Sequence, residues 1–175
     1  MTLLVRSATP DDARACAEVY APYVRTTAAS FETEPPGAEE MARRMAAAQE
    51  SHAWLVAEDD GVLAGYAYAT AFRSRAAYRW TCEVSVYVRQ GRQARGVGRA
   101  LYAALLGRLG QRGYRTAVAA TTLPNPASVA LHLALGFRQV GTLTGVGWKA
   151  GGWHDVALFE RPLSDPAPGR PAEPS

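Results

Sequence analysis

The chain has 175 residues, of which 48% are hydrophobic and 20% charged, so it is long enough for one domain with a sizeable core. It has no apolar run long enough to span a membrane, and the opening MTLLVRSATPDD lacks the basic and apolar regions of a signal peptide. We therefore expect a cytoplasmic protein. The two cysteines, Cys16 and Cys82, form neither a CxxC pair nor a disulfide framework.

The net charge of +3 is too small to indicate nucleic-acid binding by itself, but its distribution is uneven. All sixteen acidic residues lie outside the stretch 84–154, which holds nine basic residues. Such a one-sided charge favours an anionic partner. The alternative is a basic surface that serves only solubility.

The first half of the chain alternates short apolar runs with helix-forming segments. Thr9 is a capping residue ahead of Pro10 and two acidic residues, which is typical of a helix start. Asp-Asp-Gly at 59–61 separates two apolar runs and predicts a hairpin turn. The predicted order is strand, helix, helix, strand and strand, over 3–8, 13–24, 38–50, 53–58 and 62–72.

The strand predicted over 80–88 has a side-chain period of two, which places one set of residues on an apolar face: Trp80, Cys82, Val84, Val86 and Val88. A helix with an apolar stripe follows, ending near Gly113. The remaining elements are a strand, a short helix and two strands, over 116–123, 124–136, 137–148 and 155–163. This order predicts a mixed α/β domain with one central sheet over residues 1–163. The Pro-rich tail, residues 164–175, is predicted to be disordered.

A glycine-rich turn, Gln93-Ala94-Arg95-Gly96-Val97-Gly98, links the 80–88 strand to the next helix. Glycines let a backbone approach a ligand, and a helix N-terminus offers unpaired N–H groups to phosphate oxygens. The P-loop pattern GxxxxGK[ST] is absent. A dinucleotide fingerprint fails because its third glycine position holds Leu101 and no acidic residue follows before Asp155. The turn does match the Q/RxxGxG/A pyrophosphate loop of the GCN5-related N-acetyltransferases.

Over residues from about 5 to about 162 the chain resembles one family within that superfamily, the phosphinothricin and methionine sulfoximine acetyltransferases. The resemblance is carried by several segments together: FETEP (31–35), WLVAE (54–58), GYAYA (65–69), RAAYRWTCEVSVYV (75–88), QARGVG (93–98), LYAALL (101–106), LPNPASVALHLALGF (123–137) and GWHDVALF (152–159). It implies the acetyltransferase fold, a splayed mixed sheet flanked by helices, with acetyl-CoA in the cleft. It also implies a homodimer.

The resemblance assigns cofactor contacts to the strand, the glycine loop and the short helix that follows. The backbone of the strand would pair with the pantetheine arm, and the loop would hold the pyrophosphate. The expected cofactor-binding residues are Val86, Tyr87, Val88, Gln93, Ala94, Arg95, Gly96, Val97, Gly98, Arg99, Asn125 and Ser128. Relatives usually have Arg directly after the loop glutamine, where this chain has Ala94, so the phosphate contact is expected to come mainly from the backbone.

Two residues are candidates for proton transfer. Glu83 lies on the polar face of its strand, where relatives place the base that deprotonates the amine. Spacing alone slightly favours a surface glutamate on a half-exposed strand, whereas the resemblance favours catalysis. His132 stands where many acetyltransferases have a tyrosine that protonates the thiolate, and it either exchanges a proton or only packs against the cofactor.

Substrate recognition is expected from the segment before the 80–88 strand and from the loop after the first helix. Arginine pairs with carboxylates bidentately, which suits an amino-acid substrate. The predicted substrate-binding residues are Phe31, Arg73, Ser74, Arg75, Tyr78 and Ser85. Solvated basic side chains and a core phenylalanine are the alternatives.

The sequence therefore predicts an acetyl-CoA-dependent N-acetyltransferase that acts on the α-amine of phosphinothricin, methionine sulfoximine or methionine sulfone. No metal is implied. The alternatives are another amino acid or amine, or CoA binding without catalysis. Nucleic-acid binding ranks last, because between Tyr87 and Phe137 only Tyr102 and Tyr114 could stack on bases.

Overall fold

The fold is that of a computed structural model, which describes residues 3–164, 169 and 171–175. Four α-helices are present in the described part of the chain: α1 (Ala13–Thr26), α2 (Ala38–Ser51), α3 (Val97–Gln111) and α4 (Pro126–Ala134). Seven strands accompany them: β1 (Leu3–Ser7), β2 (Ala53–Asp59), β3 (Val62–Ala71), β4 (Thr81–Val88), β5 (Thr116–Thr122), β6 (Arg138–Lys149) and β7 (Gly152–Pro162).

The strands form one mixed sheet in the order β1-β2-β3-β4-β5-β7-β6. Every neighbouring pair is antiparallel except β4 and β5, which are parallel and are connected through α3. The predicted mixed α/β sheet is confirmed. The last strand begins at Gly152, three residues before the predicted start at Asp155, because the 150–151 turn is tighter than the sequence indicated.

Two hydrophobic clusters lie on opposite faces of the sheet. One contains the stripe of α3 (Val97, Leu101, Leu105 and Leu109), all of it buried, together with the apolar face of β4. The other packs α1 and α2 against Trp54, Val56 and Tyr66 of β2 and β3. The predicted period of two in β4 is confirmed, since Cys82 and Val84 face α3 while Tyr87 packs with the α1 and α2 cluster.

The β4–β5 ladder is short and determines where the sheet opens. Thr81, Cys82 and Glu83 pair with Thr116, Ala117 and Val118, and no further pair of described residues joins the two strands. β4 continues to Val88 and stays paired with β3 from Cys82 to its end. The two central strands therefore diverge just after Glu83.

The predicted disorder of the tail falls partly on residues 165–168 and 170, which lie outside the described residues. Among the described tail residues, the Ala172 carbonyl accepts a 2.7 Å hydrogen bond from the indole of Trp80. Glu173 pairs with Arg79 at 2.9 Å, and Ser175 N donates to the Arg112 carbonyl at 3.0 Å. The end of the chain thus lies against the start of β4 and the end of α3.

Candidate active site

A cleft of about 690 Å³ occupies the opening between β4 and β5. Its walls come from Val84 to Val88, the loop before α3, the first turn of α3, Ala120 to Thr122 of β5, and α4. In this region β4 and β5 form no hydrogen bonds with each other, so an unpaired edge of each strand faces the cleft.

The direction of the β4 backbone groups follows from two hydrogen bonds at its ends. Arg89 N donates to the carbonyl of Ala64 on β3 at 2.8 Å. At the other end, the Trp80 carbonyl accepts from the N–H of Arg115, just before β5, at 2.8 Å. Because these groups alternate along a strand, the residues turned towards the cleft are Val84, Val86 and Val88. The backbone groups of Tyr87 are directed towards β3 instead, where Tyr87 pairs with Tyr66.

Two tyrosine hydroxyls bind carbonyls at this edge. Tyr102 donates to Val84 O at 3.3 Å, and Tyr23 donates to Val88 O at 2.6 Å. Val86 lies between them with its backbone groups turned to the cleft. An extended chain with amide groups, such as a pantetheine arm, fits this edge as an added strand.

The loop before α3 presents a helix N-terminus to the cleft. Gly96 is the N-cap, with φ of +79°, in the left-handed region that favours glycine. The first intrahelical bond is Ala100 N to Gly96 O, so the preceding amides at 97–99 lack helical partners. Gly98 is closely packed, since a Cβ there would lie 3.3 Å from Leu131. Free amides at a close backbone approach suit a pyrophosphate.

The arginines of this loop divide between the cleft and a buried carboxylate. Arg92 and Arg99 line the cleft, together with Gln93 and Ala94. Arg95, which the sequence assigned to the cofactor, instead has its Nη1 3.8 Å from Asp59. Asp59 is 1% exposed and is also bound by Arg92.

Two features of the loop hold its shape. Ala94 has φ of +62°, a strained conformation for a residue with a side chain. The Gln93 carboxamide oxygen accepts from Gly91 N at 2.7 Å, which closes the turn across the loop. Gln93 therefore has a structural partner within the loop as well as a place on the cleft wall.

Glu83 occupies the last paired position of β4 before the strands diverge. It is half-buried, and burial raises the pKa of its carboxyl above the ordinary value. Its register partner on β3 is Thr70, and the next residue along, Val84, already lines the cleft. Glu83 itself does not line the cleft but adjoins a residue that does, and a carboxylate with a raised pKa is suited to accept a proton.

His132 lies on α4 in an aromatic environment at the cleft wall. It is 2% exposed, stacks on Phe159 with ring centroids 5.0 Å apart, and meets Tyr102 edge-on at 5.4 Å. Its Nδ1 donates to the Ser128 carbonyl at 2.7 Å, because a carbonyl can only accept. Burial lowers the pKa of His132, and the Ser128 bond offsets this in part. The ring is therefore neutral at pH 7, with Nε2 unprotonated.

Asn125 and Ser128 shape the start of α4. The Asn125 side chain caps the helix by accepting from Ser128 N at 3.1 Å. Ser128 Oγ lies 3.0 Å from the Thr121 hydroxyl of β5. Both residues also line the cleft, so capping and a place beside the ligand are compatible.

The predicted substrate residues occupy three places in the fold. Arg73 stacks over the rings of Phe72 and Tyr78, at 5.0 and 5.5 Å, in the segment before β4. Ser74 and Arg75 are exposed beside it. The other two members, Ser85 and Phe31, lie on the cleft wall and against β6, respectively.

Sequence reasoning missed three residues of this site: Tyr102, Arg92 and Asp59. Tyr102 directly follows Leu101 in an apolar helix, which made it indistinguishable from a core residue. Asp59 belongs to the predicted hairpin turn, far from the loop in sequence. The position of Arg92 just ahead of Gln93 in a basic stretch was the one available signal.

Neither a membrane helix nor a metal site marks the described ranges 3–164, 169 and 171–175. No helix in them is long and apolar enough to cross a bilayer. No group of three or more His, Cys, Asp or Glu side chains in them is arranged to hold a metal ion.

A splayed parallel pair, a glycine-capped helix N-terminus at its mouth and a free strand edge define the class of acyl-CoA-dependent acyltransferases. The family described as Acetyltransferase (GNAT) domain matches residues 5–158. The chain belongs to this family and is an acetyltransferase.

Relatives within the family resemble the chain along most of its length. A phosphinothricin N-acetyltransferase of Streptomyces viridochromogenes is 42% identical over 97% of this chain and 93% of its own. An L-methionine sulfoximine/L-methionine sulfone acetyltransferase of Salmonella typhimurium is 37% identical over 65% of this chain and 66% of its own. The crystal structure of a phosphinothricin acetyltransferase from Sinorhizobium meliloti in complex with acetyl-CoA superposes with a TM-score of 0.94. It has 38% identity, and the match covers 99% of this chain and 95% of that one.

Proposed function

We propose that this acetyltransferase transfers acetyl from acetyl-CoA to the α-amine of a small amino-acid analogue by direct attack, with Glu83 as general base. The substrate class is phosphinothricin, methionine sulfoximine and methionine sulfone, the compounds that relatives are named for. The observation that carries the proposal is the placement of Glu83. Its pKa is raised by burial, and it stands where β4 and β5 part.

The residues of the cleft fit acetyl-CoA from its pyrophosphate to its thioester. The amides at 97–99 and the Arg92 and Arg99 side chains would take the pyrophosphate. The edge formed by Val86 and Val88 would pair with the pantetheine arm. Bound acetyl-CoA supplies the activated acetyl group.

Glu83 and His132 have different parts in the proposed reaction. An α-ammonium group has no lone pair, so its proton must leave before it can attack the thioester, and Glu83 accepts that proton directly or through a water. His132 is neutral and buried, and its Nε2 faces the hydroxyl of Tyr102 at 3.3 Å. It orients this hydroxyl at the cleft wall, from where the hydroxyl can donate a hydrogen bond to the leaving thiolate.

The basic segment before β4 would recognise the acidic groups of the substrate. Arg73 is held by two aromatic rings and Arg75 is exposed, so both guanidiniums are accessible to a carboxylate or phosphinate. Ser85, on β4, lines the cleft and would contribute a hydroxyl group to recognition. Phosphinothricin offers these side chains a carboxylate and a phosphinate, and methionine sulfoximine and methionine sulfone offer a carboxylate and a polar sulfur group.

We also propose a cytoplasmic homodimer. The β6–β7 hairpin exposes large apolar side chains, with Trp148 at 61% and Trp153 at 67%. Their rings pack edge-on at 5.4 Å, and exposed Val140, Leu143 and Val146 extend the patch along β6. Contiguous apolar surface of this kind marks interfaces.

The test is a thiol-release assay with acetyl-CoA across a panel of amines that includes the three analogues, ordinary amino acids and simple amines. We expect turnover of the analogues and a fall of at least 100-fold in kcat for Glu83→Gln. Glu50→Gln, which removes an exposed glutamate of α2, is the matched control. Full activity of Glu83→Gln would remove Glu83 from the mechanism. Turnover of other amines alone would replace the substrate class.

A further inference from the structure

Phe31 lies against a glycine of the β6–β7 hairpin at a distance that admits no side chain. A Cβ at position 147 would lie 2.1, 2.3 and 2.6 Å from three carbon atoms of the Phe31 ring. Carbon atoms in van der Waals contact are ~3.5–4.0 Å apart. The ring therefore occupies the space that any residue other than glycine at this position would fill.

Lys149, two residues further along β6, holds the backbone on both sides of Phe31. Its ammonium donates to the carbonyl of Ser30 at 2.5 Å and to the carbonyl of Glu32 at 2.7 Å. One side chain thus restrains the carbonyl groups of the residues before and after the phenylalanine. Burial lowers the pKa of Lys149, as expected for an ammonium held against a loop.

A bulge in β6 sets the register of these two residues. Leu143 pairs with Val156 and Gly147 with His154, so four steps on β6 match two steps on β7. The bulge is fastened at Gly145, whose N–H donates to the Asp155 carboxylate at 2.8 Å.

The Phe31 loop also reaches the cleft. Ala29 lines the cleft. Tyr20, whose hydroxyl binds Ser30 at 2.6 Å and Glu32 at 2.8 Å, packs edge-on against Tyr87 of β4 at 4.7 Å. The loop therefore connects the hairpin to the strand that carries Glu83.

The ring of Phe31 is only partly covered by these contacts. It remains 40% exposed, although Gly147 lies under one face and His154 is 6.3 Å away. Its uncovered surface is available to a ligand, and an aromatic face packs well against a short methylene chain. The proposed substrates carry such a chain between the α-carbon and the polar phosphinate, sulfoximine or sulfone group.

We propose that Gly147 and Lys149 are positioning residues that fix Phe31 as a wall of the amine pocket, so that the β6–β7 hairpin sets the size of that pocket. The proposal rests on the proposed function and on the assignment of Phe31 to substrate recognition in the sequence analysis. The hairpin acts on the amine through Phe31 and leaves the acetyl-CoA cleft unchanged. A side chain at position 147 displaces the ring and spoils the fit of a short substrate.

The kinetic test uses the full chain with methionine sulfone and acetyl-CoA as varied substrates. Gly147→Ala and Lys149→Met are expected to raise the KM of the amine at least fivefold, with the KM of acetyl-CoA within twofold of the unmodified protein. The matched control is Gly141→Ala on the same strand, where no described atom lies within 4 Å of the added Cβ. An unchanged amine KM, or an equal rise in both KM values, would overturn the proposal.

A double-mutant cycle separates action through Phe31 from a general effect on the hairpin. In a Phe31→Ala background, Gly147→Ala should cause no further rise in the amine KM, because the clashing ring is gone. Additive effects of the two changes would contradict the assignment.

The same cycle in thermal unfolding does not depend on activity. Gly147→Ala should lower Tm in the unmodified protein and leave it unchanged in the Phe31→Ala background. If the protein turns over none of the amines, the proposed function fails. The coupling of the two substitutions in Tm would still measure the contact between Phe31 and position 147. If Gly147→Ala does not fold, the Phe31→Ala double variant should restore folding, and failure to restore it counts against the proposal.

Discussion

Nε2 of His132 lies 3.3 Å from the hydroxyl oxygen of Tyr102 in the buried wall of the cleft. Because Nδ1 of the imidazole donates to the Ser128 carbonyl, Nε2 has no proton in the neutral ring. The proton of this pair therefore belongs to Tyr102, which shares it between His132 and the Val84 carbonyl. Burial raises the pKa of Tyr102 far above its ordinary value, so the hydroxyl keeps its proton at neutral pH.

We propose that Tyr102, which keeps its proton, stabilises the leaving thiolate as a hydrogen-bond donor. Tyr102→Phe retains the ring and removes only the hydroxyl, so we expect kcat to fall at least tenfold while the KM of acetyl-CoA changes less than threefold. Steady-state kinetics with both substrates varied would measure this. Tyr114→Phe, which removes a hydroxyl at the far end of the sheet, serves as the control. An unchanged kcat would leave the pair with a packing role only.

The pKa of Glu83 predicts a pH-dependent difference between the unmodified protein and Glu83→Gln. Burial raises this pKa in the folded protein above the ordinary 4.5, so the unfolded chain ionises first as pH rises. Folding is therefore penalised progressively from about pH 4.5 up to the folded pKa. Gln cannot ionise, and the variant should unfold at higher urea concentration at pH 8 and at nearly equal concentration at pH 4.

The same carboxyl should shape the activity profile. A base must be ionised, so kcat/KM should fall as pH drops through the raised pKa, and this limb should be absent from the residual activity of Glu83→Gln. A limb that persists in the variant would belong to another group. Equal urea midpoints of the two proteins at pH 8 would argue against a burial penalty on Glu83.

The two exposed arginines that flank the α3 N-terminus should differ in their effect on acetyl-CoA. Arg99 lines the cleft, while Arg95 lies 3.8 Å from the Asp59 carboxylate. Arg99→Ala should raise the KM of acetyl-CoA about tenfold, which corresponds to the loss of ~1.4 kcal/mol. Arg95→Ala should raise it less than threefold, because Arg92 still pairs with Asp59. A larger effect of Arg95→Ala would show that this side chain reaches the phosphates.

Local patterns in the sequence predicted the scaffold of the site well. The period of two in β4 assigned Cys82 and Val84 to one face and Tyr87 to the other, and α3 buried the four residues of its apolar stripe. These features depend on side-chain direction along a single element, which spacing determines. The glycine turn was identified for the same reason, because its neighbours in sequence form the whole motif.

Contacts between distant segments could not be read in this way. The acid-free stretch 84–154 receives carboxylates from elsewhere in the fold: Arg92 meets Asp59, Arg89 lies 3.8 Å from Glu18, and Arg138 pairs with Glu160. Its charge is thus partly neutralised by residues on other strands and helices. The contact between Phe31 and Gly147 joins residues more than a hundred positions apart, so no local sequence pattern could predict it.

Gly65 of β3 is a position where a single methyl group should disturb both stability and cofactor binding. A Cβ there would lie 2.7 Å from the Tyr87 carbonyl oxygen, 3.2 Å from Val88 Cα and 3.3 Å from Leu101. Two of these atoms belong to the β4 backbone that edges the cleft. Gly65→Ala should therefore lower the free energy of unfolding by about 1–3 kcal/mol and raise the KM of acetyl-CoA.

Gly107→Ala is the matched control for Gly65→Ala, because it adds the same methyl group where there is space for it. Gly107 lies within α3, and no described atom is within 4 Å of its added Cβ. Since alanine favours a helix interior over glycine, this variant should be more stable by about 0.5–1 kcal/mol with unchanged kinetics. Urea unfolding and acetyl-CoA kinetics on both variants measure the contrast. The pairing of β4 with β3 from Cys82 to Val88 should make any shift of β4 costly. A Gly65→Ala protein as stable as Gly107→Ala would contradict this, because it would mean that β4 shifts without loss of stability.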